Sequence, residues 1–164
     1  MLLLMGYLFD TNIFIKSKNE MPQDIWPTFW HKISELIQEG KICSSVKVKE
    51  EIDHGNDELT QWMEQNATSD FYLDVDNDVL RQYAITQNWA TSNTIFTPQA
   101  RIEYATVADA FLVATASAKH LTLVTNETSN PGCKKRVKIP DACNALGVKY
   151  CDLNTALREL GVTI

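Results

Sequence analysis

The segment Val107–Glu127, VADAFLVATASAKHLTLVTNE, predicts a buried helix followed by a buried strand. Apolar residues surround the helix near Val107–Lys119 on most sides, which indicates deep burial. The short apolar run Leu121–Val124 is typical of a core strand. One isolated acid belongs to each element, because Asp109 opens the helix and Glu127 follows the strand. A helix that leads into a buried strand in this way is typical of a parallel α/β sheet.

The rest of the chain repeats this alternation of strand and helix. Further strands are predicted at Leu2–Phe9, Lys41–Cys43, Phe71–Val75 and Val148–Cys151. Further helices are predicted at Ile13–Lys18, Ile25–Glu39, Val46–Asp53, Glu58–Gln65, Val79–Trp89, Asp141–Leu146 and Leu153–Leu160. We expect an exposed loop at Ala90–Pro98 and a short extended segment at Val137–Ile139. The pattern predicts an α/β fold: a three-layer α/β/α sandwich with a mostly parallel central sheet, in a single domain over residues 1–164.

Composition excludes several classes of protein. The 164 residues are 45% hydrophobic and 22% charged, which is ordinary for a soluble globular chain. The four cysteines form no C-x-x-C pair and the three histidines are scattered, so a zinc site is not expected. The apolar start lacks a basic leader, and no run is long enough for a membrane span. We therefore expect a cytoplasmic protein with reduced thiols and no membrane partner.

Lone acids recur at positions that a parallel sheet would bring to one edge. Asp10 ends the first predicted strand, and Glu127 follows the strand Leu121–Val124. Asp109 begins the helix before that strand, and Glu50 and Glu51 lie on the helix after the second strand. Ligands of open α/β sheets bind beyond the carboxyl ends of the strands. Of the two neighbouring glutamates, Glu51 flanks the inward face of its helix more closely, and the choice between them stays open.

Four carboxylates at one edge would repel one another. A pair 4 Å apart costs about 4 kcal/mol at an effective dielectric of 20. Protons or one or two Mg²⁺ or Mn²⁺ ions would offset this repulsion, and a phosphodiester would complete the shell of such ions. Each acid alone also has an ordinary interpretation. Asp109 suits the helix dipole, Asp10 suits a turn or cap, and Glu51 or Glu127 suits a solvated surface.

These acids resemble the four acidic motifs of PIN-domain ribonucleases, which include the toxin half of bacterial VapBC-type toxin–antitoxin pairs. The similar segments, in family order, are Leu8–Asn12, Ser44–Ile52, Ala108–Ala116 and Leu123–Glu127. The resemblance implies that four acids bind Mg²⁺ or Mn²⁺ and that two polar residues support them. The acids are Asp10, Glu51, Asp109 and Glu127, and the supporting residues are Asn12 and Thr125. It also implies an RNA substrate, an antitoxin protein as a possible partner, and a homodimer.

The sequence departs from the short toxin pattern after its fourth acid. That acid is Glu127 where Asp is common, and the aromatic residue that often follows it is missing. The loop Thr128–Cys133 and the basic run after it are additions. The tail, with Lys134–Pro140 and Ala145–Val148, resembles a less studied PIN-like branch of unknown function.

The basic run has two interpretations. Its four cations could bind RNA phosphates beside the acids, or they could be a solvated face that balances the acidic charge. They are Lys134, Lys135, Arg136 and Lys138. The four tryptophans, Trp26, Trp30, Trp62 and Trp89, could likewise stack on bases, although core packing or a dimer interface is the commoner role.

Three functions remain in competition. The first is a Mg²⁺- or Mn²⁺-dependent endoribonuclease, plausibly the toxin of a toxin–antitoxin pair. The second is a catalytically inactive PIN-like module that binds RNA or protein. The third is a different metal-dependent phosphohydrolase, which we rank last because that class usually needs a second Asp where Asn12 stands.

Overall fold

The protein is built on a five-stranded parallel sheet, as seen in a computed structural model that describes residues 6–164. The strands are β1 (Tyr7–Phe9), β2 (Ile42–Ser45), β3 (Tyr72–Leu73), β4 (Thr122–Val124) and β5 (Tyr150–Cys151). Their order across the sheet is β3-β2-β1-β4-β5, and every neighbouring pair is parallel. The predicted parallel α/β class is confirmed, while the part of the first predicted strand at residues 2–5 lies outside the described residues.

Helices connect the strands. Along the described chain they are α1 (Thr11–Glu20), α2 (Pro27–Gln38), α3 (Val46–Gly55), α4 (Glu58–Asn66), α5 (Asn77–Ser92), α6 (Pro98–Thr106), α7 (Ala108–Lys119), α8 (Ile139–Leu146) and α9 (Leu153–Glu159). The chain moves from β1 to β2 and β3 in one direction, and from β3 back to β4 and β5 in the other. Since crossovers are right-handed, these two directions put helices on opposite faces of the sheet. In agreement, α1, α3 and α4 contact one another and α5, α7 and α8 contact one another, while α3 also meets the start of α7.

The core lies along the central strands β1 and β4 and along helix α7. Leu8, Phe9, Leu123 and Val124 are fully buried in β1 and β4. Helix α7 is buried over most of its length, as its nearly continuous apolar sequence predicted. Burial on both faces explains why β1 is apolar at every position, and why Leu123 and Val124 of β4 are adjacent apolar residues rather than alternate ones.

Several local predictions were wrong. The expected loop at Ala90–Pro98 is shorter, because α5 continues to Ser92 and Pro98 begins the unpredicted helix α6. Pro98 stands at the first turn of α6, where its missing N–H costs nothing. The helical pattern of Val79–Trp89 predicts that Leu80, Tyr83 and Ala84 are buried, but Leu80 is 47% exposed.

The extended segment expected at Val137–Ile139 is also shorter, since Ile139 begins α8. Thr11, Asn12 and Asp10 all suit the cap of the first helix by residue type, and the structure gives that role to Asp10. Cysteines that are not paired are typically buried as small apolar side chains, but of the four free cysteines here only Cys143 is fully buried. No helix within residues 6–164 has the length and apolar character needed to cross a membrane.

Candidate active site at the carboxyl edge of the sheet

Asp10 stands where the strand order reverses, between the carboxyl ends of β1 and β4. Its backbone N–H donates to the Val124 carbonyl at 3.0 Å, which extends the pairing of the two strands by one residue. The side chain is only 1% exposed. One carboxylate oxygen accepts from the Thr125 hydroxyl at 3.0 Å, and the other lies 3.4 Å from the Asn12 backbone nitrogen. A crevice of this kind is the usual ligand position of an open α/β sheet.

Burial and neighbouring charge make the ionised form of Asp10 unfavourable. Burial, followed by the charge of Asp109, raises the pKa of Asp10 from 3.8 to about 7, against the hydrogen bond from Thr125. Burial, followed by the charge of Glu127, likewise raises the pKa of Asp109 to about 6. Asp10 and Asp109, which come from distant parts of the chain, therefore interact electrostatically inside a poorly solvated site.

Asp109 and Glu51 meet at the start of α7. The Glu51 carboxylate accepts from the Ala108 backbone N–H at 3.2 Å and so caps this helix. The charge of Glu51 also contributes to the raised pKa of Asp109, after burial and the charge of Glu127. Glu50, which is exposed as Glu51 is, pairs instead with Lys47 at 3.6 Å. Of the two glutamates left open by the sequence, the structure brings Glu51 to the cluster.

Glu127 is held by its own chain at both carboxylate oxygens. Oε2 accepts from the Ile139 backbone N–H at 2.8 Å and so caps α8. Oε1 accepts from the Arg136 guanidinium. The backbone N–H of Glu127 donates to the Thr125 hydroxyl at 3.1 Å, so that Thr125 links Glu127 to Asp10. The side chain of Glu127 is 11% exposed.

Arg136 lies against the acids instead of forming part of a free basic surface. Its Nη2 contacts Asp109 Oδ2 at 3.3 Å as well as Glu127. The remaining cations of the run are different, since Lys134 and Lys135 are exposed and Lys138 is half-buried. The sequence predicts either an RNA contact or a solvated charge at Arg136. Neither prediction included its ion pairs with Asp109 and Glu127.

The other predicted residues are dispersed. Asn12 is exposed and reaches Asp10 through its backbone nitrogen. Trp30 and Trp62 are buried and pack edge to face with ring centroids 4.9 Å apart, which is the core role. Trp26 is 47% exposed and Trp89 is half-buried.

Comparison with known families assigns the chain. A family model described as "Domain of unknown function (DUF4411)" matches residues 7–164. The chain belongs to the DUF4411 family. Nothing among curated proteins matches its sequence.

A solved structure similar to this DUF4411 protein is the crystal structure of VapBC2 from Rickettsia felis bound to a DNA fragment from their promoter. The TM-score is 0.55 at 15% sequence identity, over 90% of this chain and 98% of that chain. At this level of identity the likeness concerns the fold alone, and the PIN-like fold implied by the sequence motifs is supported.

The acids of the DUF4411 protein suit a hard divalent cation that is bound largely by water. Within residues 6–164, no three Asp, Glu, His or Cys side chains are arranged together as a complete metal site. Mg²⁺ is nevertheless commonly held by one or two carboxylates, with waters and substrate phosphates as its other ligands. Asp10 and Asp109 provide such a pair. Beside Asp10, the buried Thr11 hydroxyl has no hydrogen-bond partner among the described residues.

Replacing Thr125 by Val is expected to lower the free energy of unfolding by about 1–3 kcal/mol. The reason is that the Glu127 backbone N–H loses its acceptor and Asp10 loses a donor, both in a site with little water. Equilibrium denaturation in urea measures the change. Thr125→Ser keeps the hydroxyl and should recover most of the loss. A Thr125→Val variant as stable as the wild type would show that these hydrogen bonds do not contribute to stability.

Proposed function

We propose that the protein is a Mg²⁺- or Mn²⁺-dependent endoribonuclease that hydrolyses RNA phosphodiesters. The observation that supports it most is the pairing of Asp10 with Asp109. Asp10 is buried and Asp109 is partly buried, both have raised pKa values, and the charge of Asp109 contributes to the raised pKa of Asp10. Both acids lie at the ligand-binding edge of a PIN-like sheet. Keeping such a pair without a counter-ion is costly, and a divalent cation would remove that cost.

In this proposal each residue has a separate task. Asp10 and Asp109 are the principal ligands, and Glu51 lies beside Asp109 at the start of α7. Thr125 holds the Asp10 carboxylate in place, which keeps its orientation fixed as ligands enter. Glu127 fixes the start of α8 beside the site. The bound ion would supply an activated water and stabilise the leaving oxyanion.

The chemistry is hydrolysis of one phosphodiester bond. Water adds to phosphorus and the 3′-oxygen of the preceding nucleotide leaves, with its proton taken from solvent. A 3′-hydroxyl and a 5′-phosphate result, as the resemblance to PIN-domain ribonucleases implies. Lys134 and Lys135, both exposed near the acids in sequence, are candidates for contacts with RNA phosphates.

The partners in this proposal follow from the similar complex. VapBC2 carries the name of a toxin–antitoxin pair, and a toxin held inactive by an antitoxin in the cytoplasm is the biological setting that we propose here. A homodimer is also part of the proposal. The domain assignment to residues 1–164 stays a prediction.

One observation favours a second candidate, a PIN-like module without catalysis. Both oxygens of Glu127 are engaged by the chain itself, and Arg136 already neutralises part of the acidic cluster. A module of this kind would bind RNA or protein without needing metal.

RNA cleavage in Mn²⁺ distinguishes the two. We expect the purified protein to cut a mixed-sequence single-stranded RNA in Mn²⁺ and not in EDTA. Asp109→Asn should reduce the rate about a hundredfold or more, because it removes a ligand while keeping the side-chain shape. Glu50→Gln, on the same sheet edge but exposed and turned to Lys47, is the matched control and should cut at the wild-type rate. Cleavage by Asp109→Asn at the wild-type rate would reject the assignment of Asp109 as a ligand, whereas a wild-type protein that cuts no RNA in Mn²⁺ would leave the binding module.

A further inference from the structure

Arg136 contributes a fixed positive charge inside the acidic cluster. Its Nη2 bridges Asp109 Oδ2, at 3.3 Å, and Glu127 Oε1. A guanidinium has five N–H donors and stays charged at any ordinary pH, so this cation is permanent. The side chain is 46% exposed, which leaves part of the group accessible to a ligand.

The backbone around Arg136 is anchored on both sides, so that its position is not that of a free surface arginine. Val137 and Ile139, which follow it, are buried in the core. Before it, the Lys134 carbonyl accepts from the Thr97 backbone N–H at 3.0 Å, which ties the segment to the start of α6. Little conformational freedom remains to be lost when the guanidinium binds the acids.

The oxygens of the cluster divide into two groups because of Arg136. Both oxygens of Glu127 already accept a hydrogen bond, since Oε1 binds Arg136 and Oε2 caps α8. Asp10 Oδ1 has only the long contact to the Asn12 nitrogen, and Asp109 Oδ1 receives no hydrogen bond from any residue in 6–164. The most open oxygens therefore belong to Asp10 and Asp109.

We infer that Arg136 takes the place of a second divalent cation, so that the site binds a single Mg²⁺ or Mn²⁺ on Asp10 and Asp109. Two-metal nucleases hold their two ions roughly 3.5–4 Å apart, and both ions need free carboxylates as ligands. Here Glu127, which would be the ligand of a second ion, already forms an ion pair with Arg136. Arg136 then offers its remaining N–H groups to the substrate phosphate, which is a usual role of arginine. This inference rests on the proposed metal-dependent function.

Counting bound Mn²⁺ tests the inference without any activity assay. We expect isothermal titration and Mn²⁺ electron paramagnetic resonance to find one ion for each wild-type chain. Arg136→Gln removes a positive charge near the ion and frees Glu127 Oε1, so it should bind Mn²⁺ roughly tenfold more tightly or better. Arg136→Lys keeps the charge and should stay near the wild-type affinity. Lys149→Gln, the same charge loss at an exposed position just before β5, should leave the affinity unchanged.

A second variant keeps the inference testable if Arg136→Gln does not fold. Glu127→Gln retains an amide oxygen to cap α8, and it should lose far less Mn²⁺ affinity than Asp109→Asn does. Equal losses in these two variants would overturn the inference. Two Mn²⁺ ions bound to the wild-type chain, or unchanged affinity in Arg136→Gln, would also overturn it and leave the nuclease proposal standing. A wild-type chain that binds no Mn²⁺ would reject the metal-dependent function itself.

Discussion

Asp10→Asn is expected to abolish Mn²⁺-dependent RNA cleavage while making the metal-free protein more stable. Asn is nearly as good a helix cap as Asp, and with its oxygen turned to the Asn12 N–H its amide is able to donate to the Thr125 hydroxyl. The substitution removes a buried charge that nothing in the metal-free site neutralises directly. We expect cleavage to fall about a thousandfold and the free energy of unfolding in EDTA at pH 8 to rise by about 2–4 kcal/mol.

The loss of cleavage and the gain in stability in Asp10→Asn have one cause, the removal of the Asp10 charge. A control variant separates both effects from the effect of removing any surface charge. Thermal or urea unfolding in EDTA measures the gain, and addition of Mn²⁺ should stabilise the wild type and not the variant. Asp74→Asn makes the same chemical change at an exposed position and should alter neither quantity. A variant that is less stable than the wild type at pH 8 would mean that Asp10 serves the fold and not a ligand.

The metal-free protein is also expected to lose stability as the pH rises from about 4 to about 7. The pKa of Asp10 is 3.8 in the unfolded chain and about 7 in the folded one, mainly through burial and the charge of Asp109. Because the folded state binds the proton more tightly, the stabilisation is complete below pH 4 and is lost as the pH passes through 7. A rise of this size corresponds to about 4 kcal/mol for Asp10 alone. Asp109, with a pKa raised to about 6 for similar reasons, adds to the decline at its lower end.

Acids whose pKa is lowered in the folded state change the free energy of unfolding in the opposite direction, and they do so at a lower pH. The hydrogen bond from Lys18 lowers the pKa of Asp57, so its contribution is present above pH 4 and is lost as the medium becomes more acidic. We therefore expect the metal-free protein to be most stable near pH 4–5. Urea unfolding across the pH range in EDTA measures the curve, and Mn²⁺ should restore stability at pH 8 far more than at pH 5. A curve that rises steadily from pH 5 to pH 8 would contradict the assignment of Asp10 and Asp109.

Much of the fold was predictable because the elements concerned are signalled locally. The apolar run through α7 and β4 identified the centre of the core, and Gly147 ended α8 where the sequence placed the stop. The parallel sheet followed from the alternation of strands and helices. Helix α6 was missed because its sequence, PQARIEYAT, has few apolar residues to show a period, and only Ala100 and Tyr104 are buried.

Leu80 shows a different limit. Its place on α5 has helical spacing with Tyr83 and Ala84, and the sequence predicted that all three point inward. In the structure, α5 buries Val79, Thr86 and Ala90 instead, while Tyr83 is half-buried and stacks on Phe111. Periodicity identifies that a helix has an inner face, but the residues of that face depend on where neighbouring helices lie.

By itself the sequence determined the parallel α/β class and the meeting of Asp10, Asp109 and Glu127 at one sheet edge, because strand direction fixes which ends of the elements come together. Only the tertiary structure decided which of Glu50 and Glu51 turns toward the cluster, and that Arg136 stands among the acids. The physical reason is distance along the chain. Arg136 and Asp109 are 27 residues apart, and their 3.3 Å contact depends on Val137 and Ile139, which follow Arg136 and anchor its backbone in a core built from distant parts of the chain.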